Sequence, residues 1–353
     1  MTSKPVRFGV IGCGVIAYWY HLRELRTLPG ARLVAVAESD AAARERAHQL
    51  TGAVAFRDAE ELLGREDIDA VIVSAPTCLN AELAISAARA GKHVYIEKPG
   101  VITRREAFDL QQAVRQAGVR AMIGFNRRYH PLCKQARRLI SSGAIGAVRS
   151  VLSTFSEPLN AETMPTWKRR RSTGGGALLD LASHHVDLLR WFLNDEVGEA
   201  KASISSLITE ADQAWLALRT CKGIESRSFF SFRTGRADWM EFAGESGTLR
   251  VDRHRSILSV RVSRRFGYGV RSAFPLPSID LVRWWGARLI RPSYEPSYRL
   301  ALSAFVESIQ GEDTGIASLE DGLRSVDVLF AAEEFARQGE SMPVPLPEPP
   351  CAS

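Results

Sequence analysis

A short glycine-rich segment directly after an apolar run constrains the fold of this chain more than any other feature. Phe8–Ile11 leads into Gly12, Gly14 and Ala17 at the spacing Gly-x-Gly-x-x-Ala, and a helix-compatible stretch follows. Gly12 permits a tight strand-to-helix turn, Gly14 lets the backbone approach a pyrophosphate, and Ala17 lets the helix pack close to the strand. The helix N-terminus presents unpaired N–H groups to phosphates. The segment therefore predicts a dinucleotide-binding loop.

A second apolar run, Leu33–Ala37, ends at Glu38, about twenty residues after the glycine segment, which is the distance expected for a ribose-binding acid. A carboxylate there accepts hydrogen bonds from the adenosine ribose hydroxyls and repels a 2′-phosphate. We therefore predict NAD rather than NADP as the cofactor.

The order of the predicted elements points to two domains. Over roughly the first 120 residues, strand-like runs alternate with helical patterns, which favours a parallel sheet with helices on both faces. After about residue 125, consecutive strand-like runs with short turns favour a mainly antiparallel sheet, and two helices close the chain. We predict an α/β protein with a Rossmann domain at residues 1–123 and an α/β domain at residues 124–353, whose last helices can pack back on the first domain.

Composition excludes several function classes. The 353 residues are 45% hydrophobic and 24% charged, as in globular proteins, and no apolar run approaches the roughly eighteen residues that cross a bilayer. The N-terminal residues lead straight into the first strand, so we expect no signal peptide and a cytoplasmic protein. Five scattered cysteines without a Cys-x-x-Cys pair indicate neither a disulfide framework nor a zinc site.

The net charge of +6 comes from basic clusters spread along the chain, without a nucleic-acid-binding signature. We therefore expect no nucleic-acid partner. One cluster, Lys168–Arg171, either meets an anionic group of a substrate or forms a solvated loop.

Two segments carry the predicted chemistry. In Glu97-Lys98-Pro99, the Lys98 ammonium can bind a substrate hydroxyl and favour a developing alkoxide, although on its own such a sequence is an ordinary turn. A predicted helix over Gly175–Leu193 holds Asp180 and His184 four residues apart on one face. Imidazole is the natural general base for an alcohol, and Asp180 could orient it or bind a hydroxyl. The pair could also ligate a metal or be structural. No further cluster completes a metal site, so we expect no metal.

Together these motifs resemble the glucose–fructose oxidoreductase/inositol dehydrogenase (Gfo/Idh/MocA) family over nearly the whole chain. The matching segments are Gly12–Ala17, Ala37–Glu38, Ala75–Thr77, Ala90–Pro99, Gly124–Arg128 and Gly174–His184. The resemblance implies a Rossmann domain, a second domain with an open antiparallel sheet used for oligomerisation, and a secondary-alcohol substrate on a sugar, cyclitol or nucleotide-sugar. It assigns catalysis to Lys98, Asp180 and His184. Two residues depart from the family pattern, which often has His at Asn80 and Gly at Ala182.

The resulting site prediction has two sets besides the catalytic residues. The cofactor set is Gly12, Gly14, Val15, Ile16, Glu38, Ala75, Pro76, Thr77, Asn80, Glu97 and Lys98. The substrate set is Arg127, Trp167, Lys168, Arg170, Asp180 and His184. We expect a homo-oligomer, either dimer or tetramer, acting on a sugar-type substrate that can be anionic.

Three functions fit these residues. The leading hypothesis is an NAD-dependent oxidoreductase that transfers a hydride between nicotinamide and a secondary alcohol or ketone. The alternatives are an enzyme that retains NAD and uses transient oxidation for elimination or glycoside cleavage, and a non-catalytic NAD- or sugar-sensing regulator. Retention of the catalytic triplet disfavours the regulator.

The stretch Phe274–Tyr298 is treated as an insertion that varies within the family. A helix over Ser278–Ile290 would mix apolar and basic residues, including Trp284 and Trp285. It could lie on an anionic membrane, cover the substrate pocket or contact another subunit. Because the helix is short, we expect the subunit or pocket contact rather than the membrane.

Overall fold

The computed structural model describes residues 4–263, 270–273, 277–291, 294–312, 317–338 and 342–343. The strands are β1 Val6–Ile11, β2 Ala31–Ala37, β3 Val54–Phe56, β4 Ala70–Val73, β5 His93–Ile96, β6 Ala121–Ile123, β7 Val148–Ser156, β8 Val197–Ser205, β9 Gln213–Thr220, β10 Glu225–Ser231, β11 Ala237–Gly244, β12 Gly247–Asp252, β13 Ile257–Ser263, β14 Val270–Ala273 and β15 Met342–Pro343. The α-helices are α1 Leu22–Leu25, α2 Ala41–Thr51, α3 Ala59–Leu63, α4 Thr77–Arg89, α5 Arg104–Ala117, α6 Pro131–Ser141, α7 Ser183–Leu193, α8 Ile279–Ile290, α9 Ser297–Ile309 and α10 Leu319–Gln338.

The chain divides into two compact units that each gather several segments. Unit 1 contains the residues up to Tyr129, Ser172–Gly174 and Glu295–Arg324, and unit 2 contains the remainder. Helix α9 therefore belongs to unit 1, although it lies near the end of the chain.

Unit 1 is built on a parallel sheet of six described strands in the order β3-β2-β1-β4-β5-β6. Strand β4 is apolar and buried throughout, and β1 is apolar except for Arg7, as strands covered by helices on both faces must be. The core joins β1 to α9, where the ring centroids of Phe8 and Phe305 lie 6.4 Å apart. The predicted Rossmann sheet is confirmed.

Unit 2 is built on a sheet of nine described strands in the order β14-β13-β12-β11-β7-β10-β9-β8-β15. Within the described residues, β7 and β10 pair in parallel and all other neighbours are antiparallel. Strand β9 alternates buried and outward-facing residues, so one face of this sheet is packed and the other is open. The predicted mainly antiparallel sheet is confirmed.

The predicted continuous helix over Gly175–Leu193 is wrong in two respects. Gly175 and Gly176 precede the helix, and Gly176 has a φ of +97°. A π-helical segment, Leu178–Ala182, precedes α7, so the helix contains a wider turn. Periodicity of apolar residues does not reveal such a turn, because every residue of the segment is buried. π-turns occur mostly as local insertions and frequently at functional sites.

The predicted insertion extends beyond the described ranges, since its residues 274–276 and 292–293 lie outside them. Within the described residues, no helix is both long and apolar enough to cross a bilayer.

Candidate active site

The predicted cofactor residues follow the strands of unit 1 at one edge. Because the strands are parallel, Gly12 after β1, Glu38 after β2, Ala75 after β4 and Glu97 after β5 all lie beyond the carboxyl ends. The strand order reverses between β1 and β4, where ligands of such sheets bind.

The two glycines of the loop have different structural reasons. Gly12 has a φ of +87°, and a Cβ on it would lie 2.5 Å from the carbonyl oxygen of Ser74. A Cβ on Gly14 would meet no atom within 4 Å. Gly12 is therefore required by the fold, whereas Gly14 keeps an open approach to the loop backbone. Val15 beside it is 71% exposed, and Ile16 is half-buried.

The Glu38 carboxylate is tied to the glycine loop. One carboxylate oxygen accepts a hydrogen bond from the Cys13 amide at 2.7 Å, and the other accepts one from the Asp40 amide at 3.0 Å. Arg44 donates to the Glu38 carbonyl oxygen at 2.6 Å. A guanidinium thus lies against the backbone that follows β2, so this end of the strand carries a positive charge as well as the Glu38 carboxylate.

Cys13, inside the loop, is not an activated thiol. Burial raises its pKa to about 12, and the Glu38 carboxylate acts in the same direction. The position at a helix start, which could lower the pKa of a thiol, is outweighed by desolvation.

Two predicted site residues, Glu97 and Lys98, lie in the turn that follows β5. The Glu97 carbonyl oxygen accepts a hydrogen bond from Asn80 at 3.4 Å, Lys98 is half-buried, and the Lys98–Pro99 peptide bond is cis. The Glu97 side chain contacts His21, whose ring nitrogen Nε2 lies 2.7 Å from Glu97 Oε1. Sequence reasoning missed His21. The available signal was a histidine on the apolar side of the first helix, four residues after the buried Ala17.

The segment Ala75-Pro76-Thr77 connects β4 to α4, and Pro76 occupies the N-cap of that helix. Thr77 is 3% exposed and packs against Gly174, on which a Cβ would lie 2.4 Å from the Thr77 Cβ. Gly174 also has a φ of +91°. The first glycine of the Gly174–Gly176 run is thus needed within unit 1.

Arg127 lies in the 3-10 turn Asn126–Tyr129 of unit 1, and it is buried. The neighbouring Asn126 donates a hydrogen bond to Ser297 Oγ at 2.9 Å, which fixes this turn to the start of α9. The structure therefore places Arg127 in the same unit as the glycine loop.

In unit 2 the structure brings three predicted substrate residues together. Lys168 Nζ lies 2.8 Å from Asp180 Oδ2, and the same nitrogen is 5.3 Å from the centre of the Trp167 ring. Burial disfavours the charged ammonium, but the Asp180 carboxylate and Glu157 outweigh it and raise the pKa of Lys168 above its ordinary value. The result is a cation, a carboxylate and an aromatic face in one cluster.

Two other residues of the basic run Lys168–Arg171 also form hydrogen bonds or ion pairs within the protein. Arg169 donates to the carbonyl oxygens of Met164 and Glu162, and Arg171 forms a two-pronged ion pair with Glu333 at 2.6 and 2.8 Å. Arg170 is the exposed member. The interpretation of the run as a solvated loop is therefore wrong for Lys168, Arg169 and Arg171.

The glycines before Asp180 allow tight packing in unit 2. A Cβ on Gly175 would lie 2.2 Å from the Lys168 carbonyl oxygen, and Gly176 has a φ of +97°. His184, in the first turn of α7, is 8% exposed. His185 faces the sheet instead, with Nδ1 3.0 Å from Ser153 Oγ. In the described part of the chain, no group of three His, Cys, Asp or Glu side chains could hold a metal ion.

Comparison with known proteins decides the family. The GFO_IDH_MocA description, an oxidoreductase family with an NAD-binding Rossmann fold, matches residues 6–125, and the GFO/IDH/MocA C-terminal domain matches residues 133–250. The chain belongs to the GFO/IDH/MocA family.

Relatives with named activities cover the chain nearly end to end. Inositol 2-dehydrogenase 3 of Saccharopolyspora erythraea is 28% identical, with 98% of this chain and 97% of the relative aligned. The WlbA dehydrogenase of Bordetella pertussis, solved with NADH and UDP-GlcNAcA, has a TM-score of 0.85 at 25% identity and covers 98% of this chain and 100% of its own. KijD10, a 3-ketoreductase of Actinomadura kijaniata, was solved with NADP and TDP-benzene. It has a TM-score of 0.80 at 26% identity over 94% of this chain and 98% of its own.

Membership of the GFO/IDH/MocA family makes this chain a nicotinamide-dependent dehydrogenase or reductase that acts on CH–OH groups. Its unit 1 residues fit a dinucleotide, because Gly14 leaves the loop backbone accessible and the Oδ1 of the buried Asn80 has no hydrogen-bond partner among the described residues. Relatives were solved with NADH and with NADP, so the family allows either cofactor.

Proposed function

We propose that this enzyme oxidises a secondary alcohol, or reduces the corresponding ketone, on a sugar, cyclitol or nucleotide-sugar. The observation that carries the proposal is the Lys168–Asp180 ion pair beside Trp167 in unit 2. A carboxylate and an ammonium recognise hydroxyl groups by charge-assisted hydrogen bonds, and an aromatic ring packs on the apolar face of a sugar ring. Relatives named for inositol and for nucleotide-sugars support the substrate class.

The proposed mechanism gives each catalytic residue one task. The Lys98 ammonium donates a hydrogen bond to the reacting oxygen and stabilises the negative charge that develops there. The His184 imidazole takes the hydroxyl proton during oxidation and returns it during reduction. The Asp180 carboxylate accepts a hydrogen bond from a neighbouring substrate hydroxyl. Bound nicotinamide supplies the hydride acceptor or donor.

The charge state of the Lys168–Asp180 pair bears on anionic substrates. Because the pKa of Lys168 is raised, the ammonium stays charged at neutral pH and offsets the Asp180 carboxylate. The exposed Arg170 adds a second positive charge to this segment. We therefore include uronates and nucleotide-sugars, whose carboxylate or phosphate would meet these cations, in the substrate class.

A turnover screen tests this proposal. The protein is mixed with NAD or NADP and a panel of cyclitols, sugars, uronates and nucleotide-sugars, and the absorbance of reduced nicotinamide is followed. We expect Lys98→Ala and His184→Ala to lower kcat by about a hundred- to ten-thousand-fold while NAD binding is kept. Near-normal rates in both variants would show that these roles are wrong. Tight sugar binding without any turnover by the unaltered protein would favour the regulator instead.

We propose NAD as the preferred cofactor. The Glu38 carboxylate at the end of β2 supports this, since a ribose 2′-phosphate would approach a negative charge that two loop amides already hold in place.

We propose a cytoplasmic homo-oligomer that associates through the open face of the unit 2 sheet. Trp215 on β9 is 60% exposed and lies against Phe229 on β10, with ring centroids 4.6 Å apart, and Leu152 on β7 is 50% exposed. Exposed aromatic and apolar residues on a flat sheet are typical of subunit interfaces. The free thiols of Cys13, Cys78, Cys133 and Cys221 fit a reducing compartment.

A further inference from the structure

A buried contact in unit 1 has no task in the mechanism proposed above. His21 has no exposed surface, and its Nε2 lies 2.7 Å from Glu97 Oε1, on a side chain that is 11% exposed. The two residues are 76 positions apart, so the fold rather than local sequence brings them together. Most polar groups buried this deeply are hydrogen-bonded, because an unpaired polar group in the interior costs free energy.

The backbone before His21 is shaped to deliver this ring. Ala17–His21 forms a π-turn, in which the Leu22 amide donates to the Ala17 carbonyl oxygen. The wider turn points Ala17 and His21 into the core and leaves Trp19 57% exposed. π-turns are insertions that are retained mainly where they serve a function.

The surroundings of His21 indicate which of its two ring nitrogens carries the hydrogen. Its Nδ1 is buried and has no hydrogen-bond partner among the described residues, whereas Nε2 faces the Glu97 carboxylate. We therefore assign the ring hydrogen to Nε2, because a hydrogen on Nδ1 would be a buried donor without an acceptor. The rings of Tyr95 and Tyr298 pack edge-on against the imidazole, with centroids 5.4 and 5.6 Å away, and fix its plane.

Glu97 is held at three points as a result. Its amide donates to the Val73 carbonyl oxygen at 2.8 Å, its carbonyl oxygen accepts from Asn80, and its side chain accepts from His21. The first two contacts fix the backbone, and only the third fixes the side chain. The negative charge of Glu97 also acts on its surroundings, since it adds to burial in raising the pKa of Tyr95.

We propose that His21 is a positioning residue for Lys98: its hydrogen bond to Glu97 holds the Glu97–Lys98 turn and so sets where the Lys98 ammonium lies. This inference rests on the proposed function, which gives Lys98 contact with the substrate. His21 has no exposed surface through which it could contact substrate or cofactor. A displacement of a reacting group by about 1 Å can cost about a hundredfold in rate, so loss of this contact lowers kcat far more than it lowers binding.

Three variants test the assignment. His21→Leu removes the hydrogen bond, whereas His21→Gln retains an N–H near the position of Nε2. The matched control is His93→Leu, since His93 begins the same strand that leads to Glu97 and its Nδ1 accepts a hydrogen bond from the Arg120 amide at 2.9 Å. We expect His21→Leu to lower kcat by about ten- to a hundredfold with a less than threefold change in the Kd for NAD. His21→Gln should recover most of the loss, and His93→Leu should keep near-normal kcat.

A second readout separates this inference from the proposed function. The rate at which an amine-acylating reagent labels Lys98, followed by peptide mass spectrometry on the folded full-length protein, reports the placement of the ammonium without any substrate. We expect this rate to change at least threefold in His21→Leu and to return towards normal in His21→Gln. An unchanged labelling rate in His21→Leu, or a Gln variant no better than Leu in either assay, would overturn the role of His21. Absence of turnover in the unaltered protein, with labelling still dependent on His21, would overturn the proposed function alone.

Discussion

Substitution of Asp212 tests how unit 2 holds the segment before Asp180. The Asp212 side chain is fully buried at the end of the β8–β9 connection, and its carboxylate accepts hydrogen bonds from the amides of Leu207, Ile208 and Thr209, each at 2.9 Å. The Arg233 guanidinium donates a fourth at 2.8 Å. Asp212→Ala would leave four donors without this acceptor.

The expected loss can be bounded from these contacts. Removing one partner of a buried ion pair costs about 3–5 kcal/mol, and each orphaned buried donor costs about 1–3 kcal/mol where water cannot reach it. Arg233 keeps its bonds to Leu159 and Thr209, which limits the total. We expect Asp212→Ala to lower the free energy of unfolding of unit 2 by about 3–5 kcal/mol, and Asp212→Asn by less, because the amide oxygen still accepts.

The same substitution should reach the candidate active site. Ala211 precedes Asp212, and its carbonyl oxygen accepts a hydrogen bond from the Ala177 amide at 2.7 Å. Gly176 packs against Ala211, where a Cβ would lie 3.1 Å from the Ala211 Cβ. A loosened connection therefore frees the backbone just before Asp180, and kcat should fall together with stability.

Urea unfolding followed by tryptophan fluorescence measures this effect in the full chain, since every tryptophan except Trp19 belongs to unit 2. Glu225→Ala is the matched control, because Glu225 forms an ion pair with Arg219 in the same unit, at 3.0 Å, but is 54% exposed. The control should lose less than about 1 kcal/mol. If Asp212→Ala lost no more than the control, the buried network would contribute nothing beyond a surface pair, and the reasoning would fail.

The pH dependence of the difference has a definite sign. Burial opposes the charged form of Asp212, but the amides of residues 207–209 and Arg233 outweigh it and lower the pKa of the carboxyl. A lowered folded-state pKa gives stabilisation that is complete above the unfolded pKa of about 3.9 and is lost as the pH falls through the folded value. The advantage of the unaltered protein over Asp212→Asn should therefore be constant from neutral pH to about pH 5 and shrink below about pH 4.

Two further predictions concern the cofactor and the assembly. Glu38→Gln should weaken NAD binding and bring the Kd values for NAD and NADP closer together, as measured by titration of each nucleotide. Tighter binding of NADP by the unaltered protein, with Arg44 holding the phosphate, would refute the preference for NAD. Trp215→Asp should reduce the solution mass measured by light scattering from that of an oligomer to that of one chain. The exposed Arg138→Asp on α6, which is not part of the sheet, would serve as a charge control. A monomeric mass for the unaltered protein would end the interface proposal.

Most of the architecture could be predicted from the sequence because its patterns are local. The apolar runs before Gly12 and Glu38 are the strands β1 and β2, and both end at the residue that the sequence indicates. The π-turns at Ala17–His21 and Leu178–Ala182 could not be predicted from apolar periodicity. Every residue of Leu178–Ala182 is buried, and Ala17–His21 carries a large aromatic residue at its exposed position Trp19, so neither pattern reveals the extra residue in the turn.

Only those residues of the candidate site that belong to a sequence motif could be predicted. Gly12 and Glu38 follow strands at a fixed spacing, and the structure ties both to the loop they were expected to form. The ion pair of Lys168 with Asp180 and the contact of His21 with Glu97 join residues that share no motif. Pairings across such sequence distances depend on tertiary packing, which a single sequence does not display.

The membership of α9 in unit 1 has a consequence for how the protein folds during its synthesis on the ribosome. The ring of Phe305 lies against Phe8 and against Tyr95, with centroids 6.4 and 5.8 Å apart, so the core of the dinucleotide-binding sheet is completed by a residue made roughly three hundred positions after its first strand. The six described strands of that sheet are synthesised first, by residue 123. The apolar surface that α9 covers stays exposed until residues 297–309 have been made, after the strands of the second sheet up to β14. Domains usually fold in the order of their synthesis. Here the first sheet to be made is among the last to be finished, and a chain cut short before Phe305 would carry the whole nucleotide-binding motif on an incomplete core.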